Sequence, residues 1–287
     1  MNYFSNQLMS AVDPISKGPG ARAEGVLAKV NYLIPPLGRN KVYVVPLGAG
    51  APRRTAEYAL TPVTIHNARS LERPPVLDEQ GFAVDRQRSA VKDFMDDEEV
   101  TSVYYAEMER LVRRATGASE VLVFDHNIRI DDGTGTAGSR IPVRIVHNDY
   151  TEGSGPRRLE ALLGRERAAA RLRKRFAVVN VWRSIEGVVE TAPLGLIDAA
   201  SVRRSDLVAT DLVYPDRVGE IYEVAGNPAH RWFYFPRMEE GEVLFIKGFD
   251  SRSDIARFTP HSAFDDPDTP ADAPPRKSIE TRSLVFY

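Results

Sequence analysis

Residues 145–158 read IVHNDYTEGSGPRR, an apolar run that closes on a histidine and an aspartate two positions apart, His147 and Asp149, ahead of a Gly-rich turn. Side chains at i and i+2 of a strand project to one face, so this pair could offer a metal one imidazole nitrogen and one carboxylate oxygen. The chain contains no cysteine, which removes thiolate zinc sites, iron–sulfur ligation, disulfides and a cysteine nucleophile together. Any metal must therefore be held by His, Asp and Glu. Of the five histidines, His66, His126, His147, His230 and His261, only His147 has a carboxylate at this spacing. Alone, a His-x-Asp pair is a weak signal, and the polar end of a strand is the competing reading.

A third ligand must come from elsewhere in the chain. His261, in RFTPHSAF, is the best distal candidate because it lies in a late strand-like segment. Two His and one carboxylate on one octahedral face form the facial triad of non-haem Fe(II) oxygenases, with the remaining positions open to co-substrate and oxygen. The closing segment PPRKSIETRSLVFY adds Arg276 and Arg282. A planar guanidinium fork there could bind the far carboxylate of 2-oxoglutarate, and Ser278 could add a hydrogen bond.

Elements of a particular kind must position these groups. VLAKVNYLIPP and KVYVVPLG, residues 26–48, fit an opening pair of strands, and the polar stretch from Glu72 to Asp96 is expected to wrap the surface. DDEEVTSVYYAEMERLVRRATG has helical apolar spacing, acidic residues leading, Arg113 and Arg114 closing and Gly117 as the stop. Next come a strand in ASEVLVFDHNIRI, a turn in DDGTGTAGS, a strand in RIPVRIVHNDY and a basic helix from Pro156 to Arg175, weakened at Gly164. Thereafter FAVVNVWRS, TAPLGLIDA, GEIYEVA, HRWFYFPRM, EVLFIKGFDS and SIETRSLVFY read as strands, and the acidic, Pro-rich residues 265–275 as a loop at a barrel mouth. The expected fold is mainly β with flanking helices: a double-stranded β-helix, or jelly roll, of cupin-like form. Residues 1–287 are expected to form one domain, with 1–119 packing on a core formed by 120–287.

The runs FDHNIR, HNDYT, NVWRS, PLGLIDAASV, HRWFYFPRM, KGFDSR, PHSAF and PRKSIETRSLVF resemble the hydroxylase and desaturase family that includes fungal gibberellin desaturase and the CmcJ-like proteins. The resemblance is strong over residues 120–287 and loose before them. It implies a non-haem Fe(II), 2-oxoglutarate-dependent oxygenase of specialised metabolism, consuming O2, with His147, Asp149 and His261 as iron ligands and an arginine of PRKSIETR for the co-substrate. The family usually has Glu where Lys277 stands. Arg276 leads as the anchor because it opens an Arg-x-Ser pattern, and Arg282 is the alternative.

Further candidates surround this set. His126, Arg129, Tyr150 and Trp182 are candidates for substrate contact, and Arg183 or Asn180 for a place near oxygen or co-substrate. Strand alternation puts Asn180 and Trp182 on one face and Val181 and Arg183 on the other, so all cannot point inward. His66, His230 and the aromatic run from Trp232 to Phe235 are assigned to structure.

The formal net charge is −2, from 38 Lys and Arg against 40 Asp and Glu, so no overall basic field draws nucleic acid. The basic helix reads as a solvated face, and DGTGTAG lacks the Lys and Ser/Thr of a phosphate loop. No membrane span and no secretory leader is legible, so a cytoplasmic enzyme with a small-molecule substrate is expected, and aromatic-rich edges allow a homodimer. A 2-oxoglutarate-independent iron oxygenase and a metal-free jelly-roll binding protein are the competing readings. A methyltransferase ranks last, for want of a Gly-rich strand-turn-helix.

Overall fold

The computed structural model describes residues 24–35, 38–45, 53–132 and 140–287. Its strands are β1 (Val26–Leu33), β2 (Asn40–Tyr43), β3 (Tyr58–Asn67), β4 (Phe82–Arg86), β5 (Glu120–Ile130), β6 (His147–Asn148), β7 (Phe176–Ser184), β8 (Leu194–Ile197), β9 (Leu207–Val213), β10 (Val218–Val224), β11 (Trp232–Tyr234), β12 (Glu242–Asp250), β13 (His261–Ala263) and β14 (Lys277–Phe286). The α-helices are α1 (Asp97–Glu99), α2 (Tyr105–Thr116), α3 (Ser154–Leu163) and α4 (Arg165–Arg171).

The strands form a nine-stranded sheet in the order β1-β3-β11-β8-β13-β6-β10-β9-β2 and a five-stranded sheet in the order β4-β12-β7-β14-β5. From β5 to β8 the chain changes sheet at each step, and it does so again from β11 to β14. This alternation winds two facing sheets into the expected jelly roll. Every residue of β7 and β12 is buried, because apolar groups cover both faces of the smaller sheet. On its outer face Val179, Val181, Phe245, Ile279 and Val285 pack against Met108, Leu111 and Val112 of α2. On its inner face Trp182, Leu244 and Ile246 meet Leu196 and Phe233 of the larger sheet.

Helix formation around α2 follows its ends. Asp96 accepts from the Glu98 and Glu99 backbone N–H groups, a π-helical turn (Val100–Tyr104) joins α1 to α2, and Gly117 closes the helix at φ 68°. The basic helix is two, α3 and α4, divided at Gly164, whose φ of 77° and ψ of 154° take the backbone out of helical space. Gly155 is required for contact: a Cβ there would lie 2.8 Å from the Phe249 ring.

Several expectations change in the folded chain. β1 and β2 do not pair with each other; β1 pairs with β3 and β2 runs parallel to β9, at opposite ends of the larger sheet. The stretch from Glu72 to Asp96 contains β4, which pairs with β12 and buries Phe82, so it completes the smaller sheet instead of only wrapping it. RIPVRIVHNDY keeps only His147–Asn148 in regular pairing, and β3 and β9 add strands beyond those expected from the sequence. Residues 133–139 of the DDGTGTAGS turn lie outside the described residues. Among the described residues no helix is long and apolar enough to cross a membrane.

Candidate metal centre

β6 lies between β13 and β10, and its register sets His147 directly opposite His261. The two imidazole centroids are 4.6 Å apart. Asp149 follows β6 by one residue and brings Oδ1 to 3.7 Å from His147 Nε2. One ligand atom from each of the three residues lies within 4.8 Å of the others.

The tautomers suit a metal. His147 Nδ1 is 2.7 Å from the Ile145 carbonyl and His261 Nδ1 is 3.0 Å from the Thr259 carbonyl. A carbonyl oxygen can only accept, so each Nδ1 carries the proton and each Nε2 keeps its lone pair. Burial, and next the neighbouring His261, push the His147 imidazole down to about 3, which keeps it neutral. Burial works against the Asp149 carboxylate, but Arg282 foremost, with the hydrogen bond from Asn180, outweighs it and holds the group well below the usual carboxylate range.

The three groups open onto a small cavity, also lined by Arg129, Trp182, Leu194, Arg276 and Glu280. Arg276 is buried, donates through Nη1 to the Ala192 carbonyl and holds its Cζ 5.4 Å from the Trp182 ring centroid. Its Nε has no partner, and neither has the buried Ser278 Oγ two residues on. Burial and the nearby Arg129 both work against the Arg276 charge, so an arriving anion relieves an existing strain on that side chain. Donors of this kind, with an N, N, O ligand set and no thiolate, fit a ferrous ion and an oxo acid.

Other sequence candidates fall elsewhere. Arg282 lies on the cavity side of β14, with its guanidinium committed to Asp149, Asp125 and Glu280 at 3.0, 2.9 and 2.8 Å. Arg183 is on the opposite face of β7 from Trp182, bonded to Gln87 at 3.0 Å and to the Glu240 carbonyl, so the expected approach to the co-substrate does not occur. His126 likewise turns outward and meets the Tyr105 hydroxyl at 3.0 Å, away from the cavity. Tyr150 is buried in the main apolar core and does not line the cavity. Arg129 does line it, steadied by a 3.0 Å bond from Nη1 to the Ile141 carbonyl. Trp182 forms a wall, and Asn180 donates to Asp149 at 2.8 Å.

Glu280 and Asp125 join this group from outside the sequence candidates. Alternation from Arg276 and Ser278 would have found Glu280, since it shares their face. Asp125 needed the β5–β14 register, which pairs it with Arg282.

Two facing sheets with two histidines and an aspartate at adjoining strand ends define a jelly-roll protein with a metal site of the facial-triad type. A family model described as "Oxidoreductase/YMDC permease-like domain" matches residues 30–286. The hydroxylase/desaturase efuI of Hormonema carpetanum is 34% identical over 257 residues, covering 80% of this chain and 85% of that protein. The Fe(II)/2-oxoglutarate-dependent dioxygenase nvfI of Aspergillus novofumigatus is 33% identical over 186 residues, covering 64% of this chain and 66% of that one. The solved structure of the iron and alpha-ketoglutarate-dependent endoperoxidase NvfI matches with a TM-score of 0.83 at 26% identity, over 92% of this chain and 99% of that chain. The chain belongs to the hydroxylase/desaturase family of non-haem Fe(II), 2-oxoglutarate-dependent oxygenases.

Proposed function

We propose that this enzyme oxidises a small specialised metabolite at an unactivated carbon, with iron held by His147, Asp149 and His261 and 2-oxoglutarate anchored by Arg276 and Ser278. The observation that carries the assignment is the convergence of three ligand atoms within 4.8 Å on a cavity where Arg276 Nε and Ser278 Oγ stand unpartnered. Ferrous iron with 2-oxoglutarate and O2 supplies an oxidant able to take a hydrogen atom from carbon, with succinate and carbon dioxide as by-products.

The chain's own residues bind, orient and exclude water. The carbonyls of Ile145 and Thr259 fix the imidazole tautomers, so Nε2 is presented without reorganisation. Arg276 is desolvated, which strengthens its pairing with an anionic carboxylate. Its contact with Trp182 keeps the fork against the cavity wall. Arg129 offers a second guanidinium for substrate or co-substrate, while Val143, Leu194 and Ala263 give the remaining wall an apolar character.

The reading also takes residues 1–287 as one oxygenase domain, supported by the entry of β1, β2 and β3 into the larger sheet and of β4 into the smaller. It carries a cytosolic location and allows a homodimer, which cell fractionation and sedimentation would test. The decisive experiment is anaerobic titration with Fe(II) and then 2-oxoglutarate. A weak visible charge-transfer band is expected, and its persistence in His147→Ala would overturn the iron assignment.

A further inference from the structure

Asp149 uses its two oxygens unequally. Oδ2 accepts from Arg282 Nε at 3.0 Å and from Asn180 Nδ2 at 2.8 Å, while Oδ1 is the oxygen turned toward His147 Nε2. Both donors are set by strand register. On β14, Arg282 is flanked by its direct cross-strand partners Asn180 of β7 and Asp125 of β5, and Glu280 precedes it by two residues on the same face. Asp125 takes Nη1 and Glu280 takes Nη2, so the guanidinium is held at its far edge and only Nε is directed at Asp149.

That geometry matters because a carboxylate can bind an ion through one oxygen or through both. An octahedral ion with three protein ligands keeps three positions open, two for a chelating keto acid and one for oxygen. A second oxygen from Asp149 would take one of them. We infer that Arg282, with Asn180, is a positioning residue that restricts Asp149 to one-oxygen coordination and so keeps the keto acid's positions open. The inference rests on the proposed iron site. It gives Arg282 a task distinct from that of Arg276: it acts through Asp149, and its donors are already occupied by carboxylates of the chain.

The test uses the full chain loaded anaerobically with Co(II), whose d–d absorption reports coordination number, followed by 2-oxoglutarate. In Arg282→Gln the cobalt spectrum is expected to change before any 2-oxoglutarate is added, and the co-substrate to bind roughly 10-fold more weakly or worse. Arg276→Gln is expected to weaken 2-oxoglutarate binding while leaving the initial cobalt spectrum as in the wild type. Because Arg282→Gln leaves Asp125 and Glu280 with less compensation and could misfold, Asn180→Ala provides the second arm, keeping the Arg282 ion pairs and showing the same spectral change to a smaller degree. Wild-type spectra in both Arg282→Gln and Asn180→Ala, or in Asn180→Ala alone if Arg282→Gln does not fold, would overturn the inference. Failure of the wild-type chain to take up Co(II) or Fe(II) would instead overturn the iron site on which it rests.

Discussion

His147 and His261 face each other across the β6–β13 ladder with ring centroids 4.6 Å apart, although 114 positions (261 minus 147) separate them in the chain. The pairing makes each a test of the other. Replacing either by alanine removes one of the proposed ligands, and outer partners of ligands already cost roughly 10- to 100-fold in metal affinity. His261→Ala is therefore expected to lower Fe(II) affinity by at least about 100-fold, read by anaerobic titration, with the unfolding midpoint of the apoprotein little changed.

Arg276 tests the co-substrate anchor. Lysine keeps the charge but presents a point cation instead of a fork. Arg276→Lys is expected to raise the 2-oxoglutarate KM by roughly 10- to 100-fold, in line with about 1.5–3 kcal/mol for a charged hydrogen bond. An unchanged KM in steady-state assays at varied 2-oxoglutarate would remove Arg276 from this role.

The packing of α2 makes a stability prediction independent of the metal. Met108 is fully buried between the helix and the smaller sheet. Met108→Ala should lower unfolding free energy by about 2–5 kcal/mol through lost burial and a residual cavity. Urea denaturation reads that loss, and Fe(II) affinity of the folded fraction should match the wild type.

Glu242 predicts a pH dependence. Its buried carboxylate is bridged by both terminal nitrogens of Arg69, each bond 2.7 Å long. Burial raises its pKa, yet Arg69 and the Glu239 N–H more than offset this, so the group lies below its ordinary 4.5. A depressed carboxylate contributes stability that is complete above the unfolded value and disappears as pH falls through the folded one. The wild type should therefore lose stability as the pH drops below about 4.5, following the linkage of this carboxylate. Arg69→Met leaves the charge buried and uncompensated, at a cost of about 3–5 kcal/mol near neutrality. The gap between the two proteins in thermal unfolding should narrow on acidification; a constant gap from pH 7 to pH 3 would count against the linkage.

Much of this was legible because some signals are local. Strand alternation tied His147 to Asp149 and Arg276 to Ser278, and the leading acidic residues and Gly117 marked the ends of the helical stretch. The continuous apolar character of FAVVNVWRS matched a strand buried on both faces. β4 was hidden because FAVDR sits in a charged segment, and its place at the sheet edge depends on β12 as a partner. Alternation also stated that Trp182 and Arg183 oppose each other, but which of them faces the cavity depends on where the second sheet packs.

By itself, then, the chain determined the donor types: no thiolate, a His-x-Asp pair, a late histidine and an Arg-x-Ser strand. Those follow from composition and a two-residue repeat. Only the tertiary structure decided that His261 meets His147, that Arg282 serves Asp149 across 133 positions, and that His126 and Arg183 turn outward. The physical reason is register. Which residues face one another between strands distant in sequence depends on the packing of whole sheets, and a shift of one residue would send every one of these side chains to the other face.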